Sequence, residues 1–161
     1  MAKKPVNFVL NGRDISVFVE QGGNLLDELR RNVGDMTTKY GCGQGTCGAC
    51  TVSVDGELKL SCLLLAELID GKRIDTTQGL AEGPDIHPLQ QEFVDGFAAQ
   101  CGYCTPGMLM AAQVLLANKP EPSREEVAEA ISGNLCRCTG YEPIIDAILR
   151  AADTLRRRPV R

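Results

Sequence analysis

The chemistry available to this chain lies in its cysteines. Eight are present among 161 residues, beside a single histidine, His87. They form two sets of four: Cys42, Cys47, Cys50 and Cys62 in the first half, and Cys101, Cys104, Cys136 and Cys138 in the second. The start, Met1-Ala2-Lys3-Lys4-Pro5, leads into Asn7, Asn11 and Arg13 rather than an apolar run. No secretory signal is therefore expected, and the chain reads as cytoplasmic. Thiols stay reduced in that compartment, which favours metal binding or redox chemistry over disulfides. One histidine is too few for a zinc finger with two histidine ligands or for a Rieske centre. Any metal held by these sets is held by thiolates alone.

The first set has the spacing C-x4-C-x2-C, then eleven residues, then its last cysteine. That is the plant-type pattern for a [2Fe–2S] cluster. Three thiolates on one loop must converge on two irons. Gly41, Gly43, Gly45 and Gly48 let the backbone wrap without Cβ clashes. They also allow amide N–H groups to point at sulfur, which raises the potential of an anionic cluster. A structural zinc site is the competing reading. Zinc accepts four thiolates, but its ligands usually come as two short knuckles, and a lone Cys62 fits that less well.

The second set reads C-x2-C, 31 residues, then C-x-C. Zinc and a [2Fe–2S] cluster both stay open here. C-x-C is tight for tetrahedral zinc, whereas two irons spread their ligands. A thioredoxin-like pair, Cys101-Gly102-Tyr103-Cys104, lacks the βαβ surroundings such a pair needs. Thr105-Pro106, read as an N-cap with proline at the first helical position, opens a helix beside Cys104 whose positive end favours thiolate. Arg137, between two candidate ligands, is either a further positive charge or a solvated side chain.

The elements that must position these thiols differ between the halves. Val6, Phe8 and Leu10, then Ile15, Val17 and Val19, alternate with their neighbours, and Asn11-Gly12 between them is a hairpin signal. Asn24 caps a helix with Asp27 and Glu28 in its first turn and Leu25, Leu26 and Leu29 on its apolar face; Gly34 marks its exit. Thr51 to Val54 reads as a strand, Asp55-Gly56 turns it toward Leu58 and Leu60, and Arg73 to Thr76 is a last short strand. Glu82-Gly83-Pro84-Asp85 is a linker. Helices follow: Leu89, Phe93 and Phe97 recur every four residues, and Met108, Leu109, Ala112, Leu115 and Leu116 make a second apolar face. Ser123 to Glu126 is a capping box, and Pro143 opens a helix carrying Ile144, Ile145, Ile148, Leu149, Ala152 and Leu155. His87 before Pro88 reads as a cap or surface residue. Met108 and Met110 read as core. Tyr103 packs over a cluster or against a partner. The run from Arg156 to Arg161 reads as a solvated tail. No half repeats the other. Units of about 80 residues bury little core and need a staple, which one metal centre in each half would supply.

Composition narrows the function. Lys and Arg total 17 against 21 Asp and Glu, a net charge of −4, which argues against a nucleic-acid binder. Apolar residues at 43% and charged residues at 24% match ordinary globular usage. No apolar run approaches the roughly 20 residues a membrane span needs.

Three motifs carry a resemblance. The run from Tyr40 through Gly41, Cys42, Gly43, Gln44, Gly45, Thr46, Cys47, Gly48, Ala49 and Cys50 to Val52 resembles the first-cluster signature of the molybdenum hydroxylases, the family of xanthine dehydrogenase, aldehyde oxidoreductase and carbon monoxide dehydrogenase. Gln100-Cys101-Gly102-Tyr103-Cys104-Thr105-Pro106-Gly107-Met108 is similar to its second-cluster signature, and Gly133 to Tyr141 to the closing half. The motifs stand in the family's order, and the resemblance spans about Val6 to Leu155. It implies an α+β chain. Residues 1–80 would form a β-grasp, ferredoxin-like [2Fe–2S] domain, and 81–161 a four-helix [2Fe–2S]-binding domain with a basic tail. All eight cysteines would be metal ligands, and Gln100 and Cys138 would also touch the pterin. Ending at Arg161, the chain is expected to hold neither a molybdenum nor a flavin domain and resembles the small subunit of a three-chain enzyme. A large subunit would carry molybdopterin, in a dinucleotide form, and a medium subunit FAD, as a dimer of such units. This chain would relay single electrons, its clusters' charge offset by amides and by cations such as Lys39 or Arg137. A free-standing two-cluster ferredoxin and a zinc-stapled interaction module are the alternatives; the small net charge and basic ends do not suit the former.

Overall fold

The computed structural model describes residues 3–81 and 84–157. Met1, Ala2, Glu82, Gly83 and residues 158–161, on which the readings of the start, the linker and the tail partly rest, lie outside them.

The hairpin signal produces β1 (Lys3–Leu10) paired antiparallel with β2 (Arg13–Glu20). Asn11 and Gly12 both take positive φ, 50° and 77°, as a two-residue turn of this hand requires. A second hairpin, β3 (Thr51–Val54) with β4 (Glu57–Leu60), turns through Asp55 and Gly56 in the same way. The short β5 (Arg73–Asp75) slots between them, parallel to β1 and antiparallel to β3, so the sheet order is β2-β1-β5-β3-β4. Val6, Phe8, Leu10, Val19, Val52, Val54 and Ile74 line the covered face with Leu25 and Leu29.

Those leucines sit on α1, which starts as Leu25–Asp27 and runs on through Glu28–Val33 as a wider, π-helical turn. Asn24 caps it, accepting from the Asp27 N–H at 2.9 Å, and Gly34 ends it with φ 84°. The π turn differs from the ordinary helix that the sequence suggests. The helix buries three leucines: Leu25 and Leu26 in its first, α-helical turn, against the sheet and against Cys50 and Cys62, and Leu29 in its π turn, against the sheet.

Four helices make the second half: α2 (Pro88–Asp95), α3 (Thr105–Asn118), α4 (Arg124–Ala130) and α5 (Glu142–Arg157). Their shared core includes Leu89, Phe93, Met108, Ala112, Val127, Ile131, Ile144 and Ile148. His87 caps α2, its Nδ1 accepting from the Leu89 N–H at 3.2 Å, and Ser123 and Glu126 close the capping box of α4. Two expectations shift. Cys104, not Thr105, is the N-cap of α3, because its carbonyl already accepts the first helical bond, from the Met108 N–H at 3.0 Å. Phe97 does not extend the Leu89–Phe93 stripe: α2 ends at Asp95 and the ring is 84% exposed.

The halves meet where α3 packs on β3 and β4. The contact is backbone on backbone. A Cβ on Gly107 would lie 2.3 Å from the Gly48 carbonyl oxygen, and one on Gly48 would lie 2.4 Å from that of Gly133. The Gly48 oxygen accepts from Asn134 Nδ2 at 2.8 Å and Thr51 Oγ1 at 2.7 Å, with Asn134 itself buried. Alanine normally improves a helix over glycine by about 1 kcal/mol. At Gly107 the clash is with backbone, which cannot swing aside. Gly107→Ala is expected to destabilise the chain by about 2 kcal/mol or more, read as a lower urea midpoint for the metal-loaded protein.

Candidate metal centres

The first set is built on the loop between α1 and β3. Cys42 Sγ accepts from the Gln44 N–H at 3.4 Å and the Thr46 N–H at 3.3 Å, and Cys47 Sγ accepts from the Cys42 N–H at 3.3 Å. The glycines are needed at two places in particular. Gly45 takes φ 81°, and a Cβ on Gly41 would lie 2.6 Å from Cys47 Sγ. Cys50, at the end of the loop, and Cys62, just past β4, are buried against Leu26. The Thr46 hydroxyl, then the Gln44 amide, hold the Cys42 thiol down at about 5. Burial, then the neighbouring Cys50 thiol, pushes Cys62 up to about 11.

The second set joins the N-terminus of α3 to the loop before α5. Cys104 stands beside Cys136, and Cys101 beside Cys138. Burial, then the Cys136 thiol, pushes Cys104 up to about 12. At Cys136 burial acts in the same direction but is outweighed: the Thr139 hydroxyl, with the Thr139 and Cys138 amides, lowers it. The Thr139 hydroxyl lies 3.1 Å from Cys136 Sγ, and the Cys136 N–H donates to the Tyr141 hydroxyl at 3.0 Å. Tyr141 holds that position with φ 71°, a left-handed conformation that bulky residues avoid. Cys101 and Cys138 are exposed, whereas Cys50 and Cys62 are buried.

All eight cysteines thus fall into the two groups that the spacing anticipated. Among the described residues no three His, Cys, Asp or Glu side chains converge as the ligands of a single metal ion do. Two sets of four thiols, with amides and hydroxyls aimed at sulfur and a cradle at Gly41 that a Cβ would fill, fit a two-iron cluster. Gln100 is exposed next to Cys101. Lys39 Nζ donates to the Met36 carbonyl at 2.8 Å, and Arg137 is exposed.

The two sets are stitched together. The Leu135 N–H donates to the Cys47 carbonyl at 2.9 Å, and the Tyr103 hydroxyl to the Tyr40 carbonyl at 2.5 Å. Sequence reasoning assigned no role to Thr46, Thr139, Asn134 or Leu135. A hydroxyl within four residues of a candidate ligand is a signal that could have marked the two threonines. The partner of Asn134 lies 86 residues away, and nothing local marks it.

Comparison with known proteins agrees along the whole chain. Residues 8–81 match the 2Fe-2S iron-sulfur cluster binding domain, and residues 76–149 match the [2Fe-2S] binding domain. The nicotinate dehydrogenase small FeS subunit of Eubacterium barkeri is 45% identical over 153 residues, 95% of this chain and 98% of that protein. The crystal structure of quinoline 2-oxidoreductase from Pseudomonas putida 86 has a chain that superposes with a TM-score of 0.93 at 47% identity, covering 98% of this chain and 99% of that one. The aldehyde oxidoreductase structure from Desulfovibrio desulfuricans matches with a TM-score of 0.92 at 37% identity, covering 95% of this chain but 17% of that one. With a ferredoxin-like domain followed by a helical one, each of a [2Fe–2S]-binding type, this oxidoreductase subunit belongs to the small iron–sulfur subunits of the molybdenum hydroxylases.

Proposed function

We propose that this chain is the electron relay of a heteromeric molybdenum hydroxylase, taking electrons one at a time from molybdopterin on a large partner toward FAD on a medium partner, in the cytoplasm. Cys42, Cys47, Cys50 and Cys62 hold one [2Fe–2S] cluster, and Cys101, Cys104, Cys136 and Cys138 hold the other. Gln100 and Cys138 face the pterin. The partners assemble as a dimer of three-chain units. Once bound, each cluster supplies one-electron redox chemistry and nothing else.

The observation that carries this reading is the Leu135 N–H bond to the Cys47 carbonyl. Cys47 belongs to the first set, and Leu135 precedes Cys136 of the second. Covalent bonds and one 2.9 Å hydrogen bond therefore join the two sets. A short path of this kind serves electron transfer between the sets, a role that a zinc-stapled module does not have.

The chain's own residues supply the rest. Amides and a hydroxyl on Cys42 offset the negative charge of a four-thiolate site, and the donors on Cys136 do the same for the other. Leu26 helps to keep water from Cys50 and Cys62. The exposure of Cys101, Cys138 and Gln100 leaves the second site open to a partner. Free thiols throughout suit a reducing compartment, and among the described residues no helix is long and apolar enough to cross a membrane.

The test is electron paramagnetic resonance of the dithionite-reduced protein, drawn from its native host with whatever binds it. Two distinct [2Fe–2S] signals, about four irons per chain and co-purifying molybdenum are expected; zinc in place of iron, with no partner, overturns the reading. The ligand assignment has its own check. Cys62→Ser is expected to abolish the first signal and keep the second, and Cys104→Ser to do the reverse.

A further inference from the structure

Phe97 is the most exposed of the large apolar side chains among the described residues, at 84%, and its backbone is strained, with φ 51°. The reason is local. The Ala98 N–H donates to the Phe93 carbonyl at 3.0 Å and the Phe97 N–H to the Val94 carbonyl at 3.2 Å. That pair of bonds is the Schellman ending of a helix, and Phe97 occupies its left-handed position, where glycine is preferred. A glycine stands next to it, one residue too early. A Cβ on Gly96 would lie 1.9 Å from Arg150 Nη2, so a larger residue there would displace a guanidinium whose Nε bonds Glu92 at 2.9 Å. The helix therefore ends with an aromatic ring forced into left-handed backbone and turned out to water. Either feature alone is unfavourable to the isolated chain.

We propose that Phe97 is an anchor that seats in an apolar pocket of the large partner chain, beside the second thiol set; this rests on the relay reading given above. Three observations point to that occupant. Phe97 is followed by Ala98, Ala99, Gln100 and Cys101, of which only Ala98 is buried, so a mostly exposed stretch of chain leads from the ring to the first cysteine of the second set. Val94, one turn earlier, is 65% exposed and widens the apolar knob. The chain carries no charged residue from Gly96 to Thr105, a stretch that bears two exposed aromatic rings, Phe97 and Tyr103, and aromatic side chains are enriched at interface centres. Size supports the same partner. In the aldehyde oxidoreductase neighbour this fold is 17% of one long polypeptide, whereas the matching chain of quinoline 2-oxidoreductase is the length of this one. A much larger body of protein therefore accompanies the fold.

The experiment compares wild type, Phe97→Gly and Phe97→Leu, each loaded with iron and purified with the molybdenum-bearing chain from the native host. Dissociation of that chain is followed after dilution, and thermal unfolding and the two paramagnetic signals are read on the small chain alone. Phe97→Gly is expected to hold both signals and to unfold at the same temperature or higher, because glycine removes the strain. It is expected to release the large chain at least tenfold faster. Phe97→Leu, which keeps an apolar anchor, restores most of the retention. Unchanged retention in Phe97→Gly overturns the proposal, and so does earlier unfolding of the isolated variant, which would make the ring a support of its own fold. A wild-type small chain that dimerises through this residue also overturns it. Wild-type complex without molybdenum, or without both signals, overturns the relay reading itself.

Discussion

The rest of the structure depends on one close approach, that of α3 to the loop carrying the first thiols. Gly48 and Gly107 meet with no side chain between them, and the Gly48 carbonyl is held by Asn134 from one half and Thr51 from the other. Each of these residues lies within four positions of a cysteine. Gly48 separates Cys47 from Cys50, Gly107 follows Cys104 by three, and Asn134 precedes Cys136 by two. The seam and the two thiol sets are therefore one construction. A methyl group added at Gly107 would press on the Gly48 carbonyl and on Asn134, whose neighbour Leu135 bonds Cys47, and interiors this dense relax only partly. The two larger hydrophobic cores belong one to each half, and the helical one includes Met108, the residue after Gly107.

The thiols show what each half must compensate. Around Cys42, hydrogen bonds prevail and the thiol ionises easily; around Cys62 and Cys104, burial prevails and the thiols stay protonated at neutral pH without metal. Bound metal reverses that preference, so loading the sites releases protons and couples to folding. For halves of about 80 residues, that coupling is the staple their modest cores need.

Much of this was legible in the sequence, for reasons that are local. Hairpin turns at Asn11-Gly12 and Asp55-Gly56, caps at Asn24, His87 and Ser123, and the grouping of cysteines all follow from residues a few positions apart. What escaped is set by distant partners. The π turn of α1 sets Leu29 on the sheet just after Leu26 has met the buried pair Cys50 and Cys62. Asn134 is polar and buried only because Gly48 arrives from the other half. Phe97 followed the apolar period faithfully, yet the helix stops before reaching it, since the Schellman bonds from Phe97 to Val94 and from Ala98 to Phe93 close it there.

The two sites also differ in how complete they are. On the proposed ligand assignment, the first is closed by this chain, with two of its four cysteines buried. The second has two exposed cysteines, an exposed glutamine beside them and a strained phenylalanine pointing outward. Solvent exposure is one of the variables that set a cluster's potential. A site left this open has a potential that the chain alone does not determine. Anything that covered it would change the dryness of the site and with it that potential. The asymmetry arises without any difference in residue type: both sets are four cysteines, and the surface around the second is the more open of the two.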